Sequence, residues 1–147
     1  MIDNEIIKFH YDIASGDYLK GGEASSNIKK ALMQLGIDNS IIKRVCVASY
    51  EAEMNIVIHS LGGSMEAKVY EDRIEIVAAD IGPGIKDIKL ALTEGYSTAT
   101  EGAREMGFGA GMGLPNIKNT CDELEINSAH GDNTVITMKI YFNKVVS

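Results

Sequence analysis

Apolar and polar residues partly alternate from Glu5 to Ile13 in a stretch rich in β-formers, and Ser15-Gly16-Asp17 breaks the pattern, which predicts a first strand. After Gly21-Gly22, Ile28, Leu32 and Leu35 fall at helical spacing and Gly36 ends the run, predicting a short helix from about Ala24 to Leu35. Ser40 is placed to cap a longer helix, in which Ile41, Val45, Ala48, Ala52 and Ile56 form one apolar stripe up to Gly62-Gly63. Met65 to Tyr70 and Arg73 to Ala79 then alternate on either side of Glu71-Asp72, the pattern of a hairpin. A helical stretch follows over about 86–93, and from Gly95 to Gly113 there is little hydrophobic period. Helical spacing returns from Leu114 to Leu124 through Ile117 and Cys121, with Pro115 tolerated in the first turn. Glu125 to Ser128 and Asn133 to Phe142 read as a last pair of strands. This order predicts a two-layer α+β sandwich, a sheet covered by helices whose other face is solvated or covered by a partner.

A length of 147 residues fits one domain over 1–147, and 45% apolar with 24% charged residues fits a chain with an ordinary core. No apolar run approaches the roughly 18 residues that span a bilayer. The start, Met1-Ile2-Asp3-Asn4-Glu5, lacks the positive end of a secretory signal, so the expected location is the cytoplasm, with no membrane partner. The net charge of −7 opposes non-specific binding to a phosphate backbone and argues against nucleic acid. A small polyanion is still compatible, because backbone amides and a metal ion neutralise it locally. Cys46 and Cys121 lie far apart in predicted helices and read as reduced core thiols. His10, His59 and His130 are scattered, and no pair has ligand spacing.

Chemistry concentrates in three places. Glu51 and Asn55 are four residues apart on the long helix, about 40° apart around its axis, and share a face beside the apolar stripe. They form either a solvated polar margin or a carboxylate that deprotonates a hydroxyl beside a neutral oxygen able to ligate Mg²⁺. His59, one turn on, lines the same face or has a structural role, and Glu53 on another face reads as surface. Asp80-Ile-Gly82-Pro-Gly84 follows directly on a strand. It is either a plain strand-to-helix turn, or a place where the chain passes close to a flat ligand while the aspartate accepts from an amino group such as that of adenine. Glycine at every second position from Gly107 through Gly109, Gly111 and Gly113, entering a helix at Leu114, makes either a linker or a seat for phosphates. Neither a P-loop nor a dinucleotide fingerprint has this spacing. Arg104, Ser97 and Thr98 lie in the same segment, either without a fixed task or within reach of a terminal phosphate.

Glu-x-x-x-Asn on a helix, Asp-x-Gly-x-Gly after a strand and a glycine-rich lid entering a helix together resemble the GHKL ATPase family over about residues 40–142. Asp80-Ile-Gly-Pro-Gly-Ile85, Gly95-Tyr-Ser-Thr98 and Gly109-Ala-Gly-Met-Gly-Leu-Pro115 look most like its RsbT-type switch kinases and anti-sigma-factor kinases. The resemblance implies a Bergerat, histidine-kinase-like ATPase fold, with a mixed, mostly antiparallel sheet and a lid over about 95–113. It implies Glu51 as general base, Asn55 as the Mg²⁺ ligand, and Asp80 as the group that reads adenine, with Gly82 and Gly84 shaping the base pocket. Gly109, Gly111, Gly113 and the amide of Leu114 would surround the phosphates, and Thr134 would support the adenine contact. Asn133 stands where relatives often carry glycine, and Ala99 to Met106 looks like an insertion in the lid. The implied activity is an ATP- and Mg²⁺-dependent protein-serine/threonine kinase acting on a STAS-like regulatory antagonist in bacterial partner switching, with a homodimer formed through the sheet face. The alternative is a non-catalytic, ATP-dependent module that sequesters a sigma factor or another regulator. Retention of Glu51 favours the kinase.

Overall fold

The computed structural model describes residues 5–17, 21–82, 92, 113–128 and 133–142. The long helix, α2, spans Asn39–His59 and is placed by its apolar face: Ile42, Val45, Ala48, Ala52 and Ile56 recur at intervals of three and four and are buried against a sheet. Its cap is Asp38, not the expected Ser40. The Asp38 carboxylate accepts from Ser40 N at 2.8 Å and from the Ser40 hydroxyl at 2.8 Å, so the serine feeds the cap that the aspartate makes.

The strands are β1 (Glu5–Ile13), β2 (Gly63–Tyr70), β3 (Arg73–Asp80), β4 (Glu123–Asn127) and β5 (Val135–Tyr141), paired antiparallel in the order β1-β2-β3-β5-β4. Register aligns Phe9, Ala67, Ile76, Met138 and Leu124 across the sheet. That row belongs to the core under the helices. The turn at Glu71-Asp72 joins β2 to β3 as the alternation predicts. The α+β sandwich expected from the sequence is therefore the observed architecture, with every pairing among the described strands antiparallel.

Helix α1 (Glu23–Gln34) starts at Gly22, held in the left-handed region at φ 98°, and no side chain of its own caps it. Its open amides are met from α2: Glu53 accepts from Ala24 N at 3.1 Å and from Ser25 N at 3.2 Å. Glu53 is only 3% exposed, so the sequence expectation of a surface residue is corrected. A buried carboxylate is tolerated here because the helix end supplies two donors and a favourable dipole.

Helix α3 covers Gly113–Thr120 and stops before the expected end at Leu124. Asp122 N bonds to Lys139 O at 2.9 Å, and the Asp122 side chain accepts from Tyr141 N at 2.8 Å, which draws the chain onto β5 and carries Leu124 into the sheet. Arg44 closes the helix end by donating from Nε and Nη2 to Thr120 O at 3.1 and 2.9 Å, and from Nη2 to Asp122 at 2.9 Å. Cys121 thus lies just past α3 instead of inside it. Both cysteines are free and half-buried, and burial pushes their thiols up, to about 11 for Cys121, which keeps them unreactive.

Replacing Glu53 by Ala should strand the Ala24 and Ser25 amides in the core. Urea unfolding should then show a loss of about 2–4 kcal/mol, with Glu53→Gln, which keeps one acceptor, intermediate. Unchanged stability in Glu53→Ala would remove the capping role.

Candidate functional site

Glu51 and Asn55 lie on α2 beside the buried stripe and are half-buried, as their spacing predicts. The first turn of α3 stands against Glu51: a Cβ on Gly113 would come within 3.2 Å of Glu51 Oε2, and Asn116 Nδ2 approaches Oε1 at 3.5 Å. Leu114 and Ile117 are buried in the core, so this helix end is fixed by packing. Burial pushes the Glu51 carboxyl above its ordinary value, while the Asn116 amide pulls the other way. The Asn55 side chain forms no hydrogen bond among the described residues.

The second cluster forms where β3 leaves the sheet. Asp80 N donates to Thr134 O at 2.8 Å, and Thr134 N donates back to Asp80 Oδ1 at 3.0 Å. Gly82 N donates to Asn133 Oδ1 at 2.9 Å, and the hydroxyls of Ser128 and Thr134 lie 2.6 Å apart. Thr134 is buried, and Asp80 is half-buried with its Oδ2 unpaired among the described residues. Burial raises the Asp80 carboxyl, partly offset by the Thr134 amide. An acceptor oxygen aimed from a firmly held strand end suits recognition of an amino group.

The chain itself links these clusters. Leaving α2, it bonds Leu61 N to Ile81 O at 3.1 Å and receives Ile81 N on Gly62 O at 2.9 Å, and Gly63 then pairs with Asp80. Contact is so close there that a Cβ on Gly63 would lie 2.2 Å from Ala79 O. The end of α2 and the end of β3 are thereby locked together.

Of the residues singled out by sequence, the structure places Glu51, Asn55, Gly113 and Leu114 around the junction of α2 and α3, and Asp80, Gly82 and Thr134 at the strand-end corner. Gly84, Ser97, Thr98, Arg104, Gly109 and Gly111 lie outside the described residues, with the helix expected over 86–93 and the lid before Gly113. His59 is the last residue of α2, half-buried and engaged in an interaction; His10 is exposed and pairs with Asp12 at 3.1 Å. Asn116, Ser128 and the Asn133 contact emerge only from the fold. A polar residue just before a strand is a common acceptor of turn amides, which is the one local signal Asn133 carries. No helix among the described residues is long and apolar enough to cross a membrane.

A family profile described as a histidine kinase-like ATPase domain matches residues 21–140. The serine/threonine-protein kinase RsbT of Bacillus subtilis (strain 168) is 31% identical over 124 residues, 82% of this chain and 85% of the relative. An anti-sigma F factor of Clostridium novyi (strain NT) is 32% identical over 104 residues, 67% of this chain and 69% of the relative. Among solved structures, the RsbU and RsbW domains of Rv1364c from Mycobacterium tuberculosis share the fold with a TM-score of 0.60 at 16% identity, over 90% of this chain and 32% of that longer one. The chain belongs to the histidine kinase-like ATPase domain family.

The raised Glu51 carboxyl makes a stability prediction with a definite sign. Because the folded state holds this proton more tightly than the unfolded chain, the stability present in acid is lost as pH climbs through the raised value. Glu51→Gln should therefore melt at a higher temperature than wild type at neutral pH, and the gap should close below the ordinary carboxylate range. A variant melting lower at neutral pH would show that the ionised carboxylate is a structural ion instead.

Proposed function

We propose that this member of the family is an ATP-dependent protein-serine/threonine kinase that moves the γ-phosphoryl group of ATP to a serine or threonine of a small regulatory protein in a bacterial partner-switching system. The observation that carries this reading is Glu51, a half-buried carboxylate held against the first turn of α3 with its proton affinity raised by burial. Nucleotide binding alone needs no such base. Similarity to a serine/threonine-protein kinase over most of the chain supports the same reading.

In this assignment Asp80 accepts from the adenine amine through Oδ2, with Thr134 behind it and Gly82 and Gly84 lining the base. Gly109, Gly111, Gly113 and the Leu114 amide are assigned to the phosphates, and Ser97, Thr98 and Arg104 to the terminal phosphate. The residues fit a hard cation: the uncommitted Asn55 oxygen, one turn from Glu51, is a ligand suited to Mg²⁺. When bound, Mg²⁺ would supply charge neutralisation at the phosphate oxygens. The partner's hydroxyl oxygen attacks the γ-phosphorus, its proton passes to Glu51, and the bond to the β–γ bridging oxygen breaks with its electrons leaving on ADP. Placement contributes most, since holding hydroxyl and phosphorus in line removes the entropic part of the barrier. The protein partner is a STAS-like antagonist, and two copies pair through the open face of the sheet.

A second reading, supported by similarity to an anti-sigma F factor, makes the chain an ATP-gated module that sequesters a sigma factor or another regulator. Kinetics separate the two. Glu51→Ala should keep ATP affinity within about threefold while phosphate transfer to the partner captured from native extract falls about 10²–10⁴-fold. In wild type the transfer rate should rise with pH along a limb displaced above the ordinary glutamate range, because the base must lose its raised proton first. Full transfer by Glu51→Ala would exclude the assigned base. Titration calorimetry with ATP and Mg²⁺ should show Asp80→Asn weakening binding about 10- to 100-fold. Unchanged affinity would remove the adenine assignment.

A further inference from the structure

We infer that Asn133 is a positioning residue for purine selection, acting through Asp80; the inference rests on reading this corner as the nucleotide-base site. Its basis is the way the ladder between β3 and β5 continues past the last regular pair, Ala79 with Val135. Asp80 and Thr134 come next. Asp80 N donates to the Thr134 carbonyl as a strand residue would, but Thr134 N goes to the Asp80 side chain, where a regular pair would use the Asp80 carbonyl. One step further, Gly82 N is accepted by the Asn133 side chain. Two side chains, a carboxylate on one strand and an amide on the other, thus stand in for backbone acceptors.

This substitution has a direct consequence for Asp80. Its Oδ1 is committed to Thr134 N, so the direction of Oδ2 is set by how firmly the backbone on either side is held. On the strand side the sheet holds it. On the turn side Ile81 is 56% exposed, and the turn is held by the Ile81 N bond to Gly62 O, the Leu61 N bond to Ile81 O and, one residue further, the Gly82–Asn133 bond. The Asn133 side chain reaches the reading carboxylate through the turn, while its backbone is joined to the Thr134 amide that Asp80 Oδ1 accepts. Its effect should accordingly fall on ligands that use Asp80 Oδ2, a 6-amino purine, and spare those that present an oxygen there, a 6-oxo purine.

The test is calorimetric affinity for ATP and for ITP, each with Mg²⁺, in wild type, Asn133→Ala and Asn133→Asp. Wild type should prefer ATP. Asn133→Ala should bind ATP about 5- to 10-fold more weakly while its ITP affinity changes less than about twofold, so that the preference collapses. Asn133→Asp, which keeps an acceptor for Gly82 N, should recover most of the preference, and neither variant should shift nucleotide-free melting by more than about 2 °C. Equal losses for both nucleotides, an unchanged ATP-to-ITP ratio in Asn133→Ala, or a loss of preference in Asn133→Asp equal to that in Asn133→Ala would each overturn the role. Wild type binding neither nucleotide would instead overturn the reading of the corner itself.

Discussion

One helix has to satisfy two demands with a single backbone. The face of α2 that carries Val45, Ala48, Ala52 and Ile56 is pressed against the sheet, and the neighbouring face carries Glu51 and Asn55. Each large aliphatic side chain buried on α2 contributes about 1.5–3 kcal/mol. Ile42, Val45, Met54, Ile56 and Val57 are all buried, which outweighs the cost of holding one carboxylate half out of water. Packing therefore sets the rotation of the helix, and the rotation sets where Glu51 and Asn55 stand. The alanines at the centre, both fully buried, let the helix lie close to the strands.

The same logic fixes the strand-end corner. Asp80 is aimed by its strand, its strand by antiparallel pairing with β2 on one side and β5 on the other, and its terminal turn by the contact with Gly63. Both proposed functional carboxylates carry raised pKa values with burial as the main cause. Each is more costly to ionise than a surface acid. Both are left incompletely paired among the described residues, whereas the more deeply buried Glu53 carboxylate receives two amides.

Much of this was legible in the chain. Period-two alternation around Glu71-Asp72 located the central hairpin, and with it the strand end where Asp80 sits, because one face of that hairpin must be buried. Four-residue spacing put Glu51 and Asn55 on one helical face. What escaped local pattern depends on partners distant in sequence. Glu53 reads as surface until α1 arrives with two uncapped amides, 29 and 28 residues away. Helical spacing through Cys121 reaches Leu124, but pairing of Asp122 with β5 ends the helix at Thr120. Ser40 is a good cap by type, and Asp38 two residues earlier accepts two bonds from it. In each case the competing element wins by satisfying polar groups that propensity does not count.

The two ends of β3 show how a site is kept apart from a scaffold. At one end Arg73 is 3% exposed, its guanidinium 2.7 Å from both Asp72 and Glu75 and stacked 4.0 Å from the Tyr70 ring. A buried cation so fully paired has little to offer a ligand, because any new contact must first break an old one. At the other end Asp80 has only its Oδ1 paired among the described residues, and the groups around it hold the backbone. The strand is thus saturated at one end and keeps an acceptor open, among the described residues, at the end proposed to bind. That difference, set along eight residues of the central strand, leaves the proposed adenine contact an acceptor oxygen on a firmly held frame.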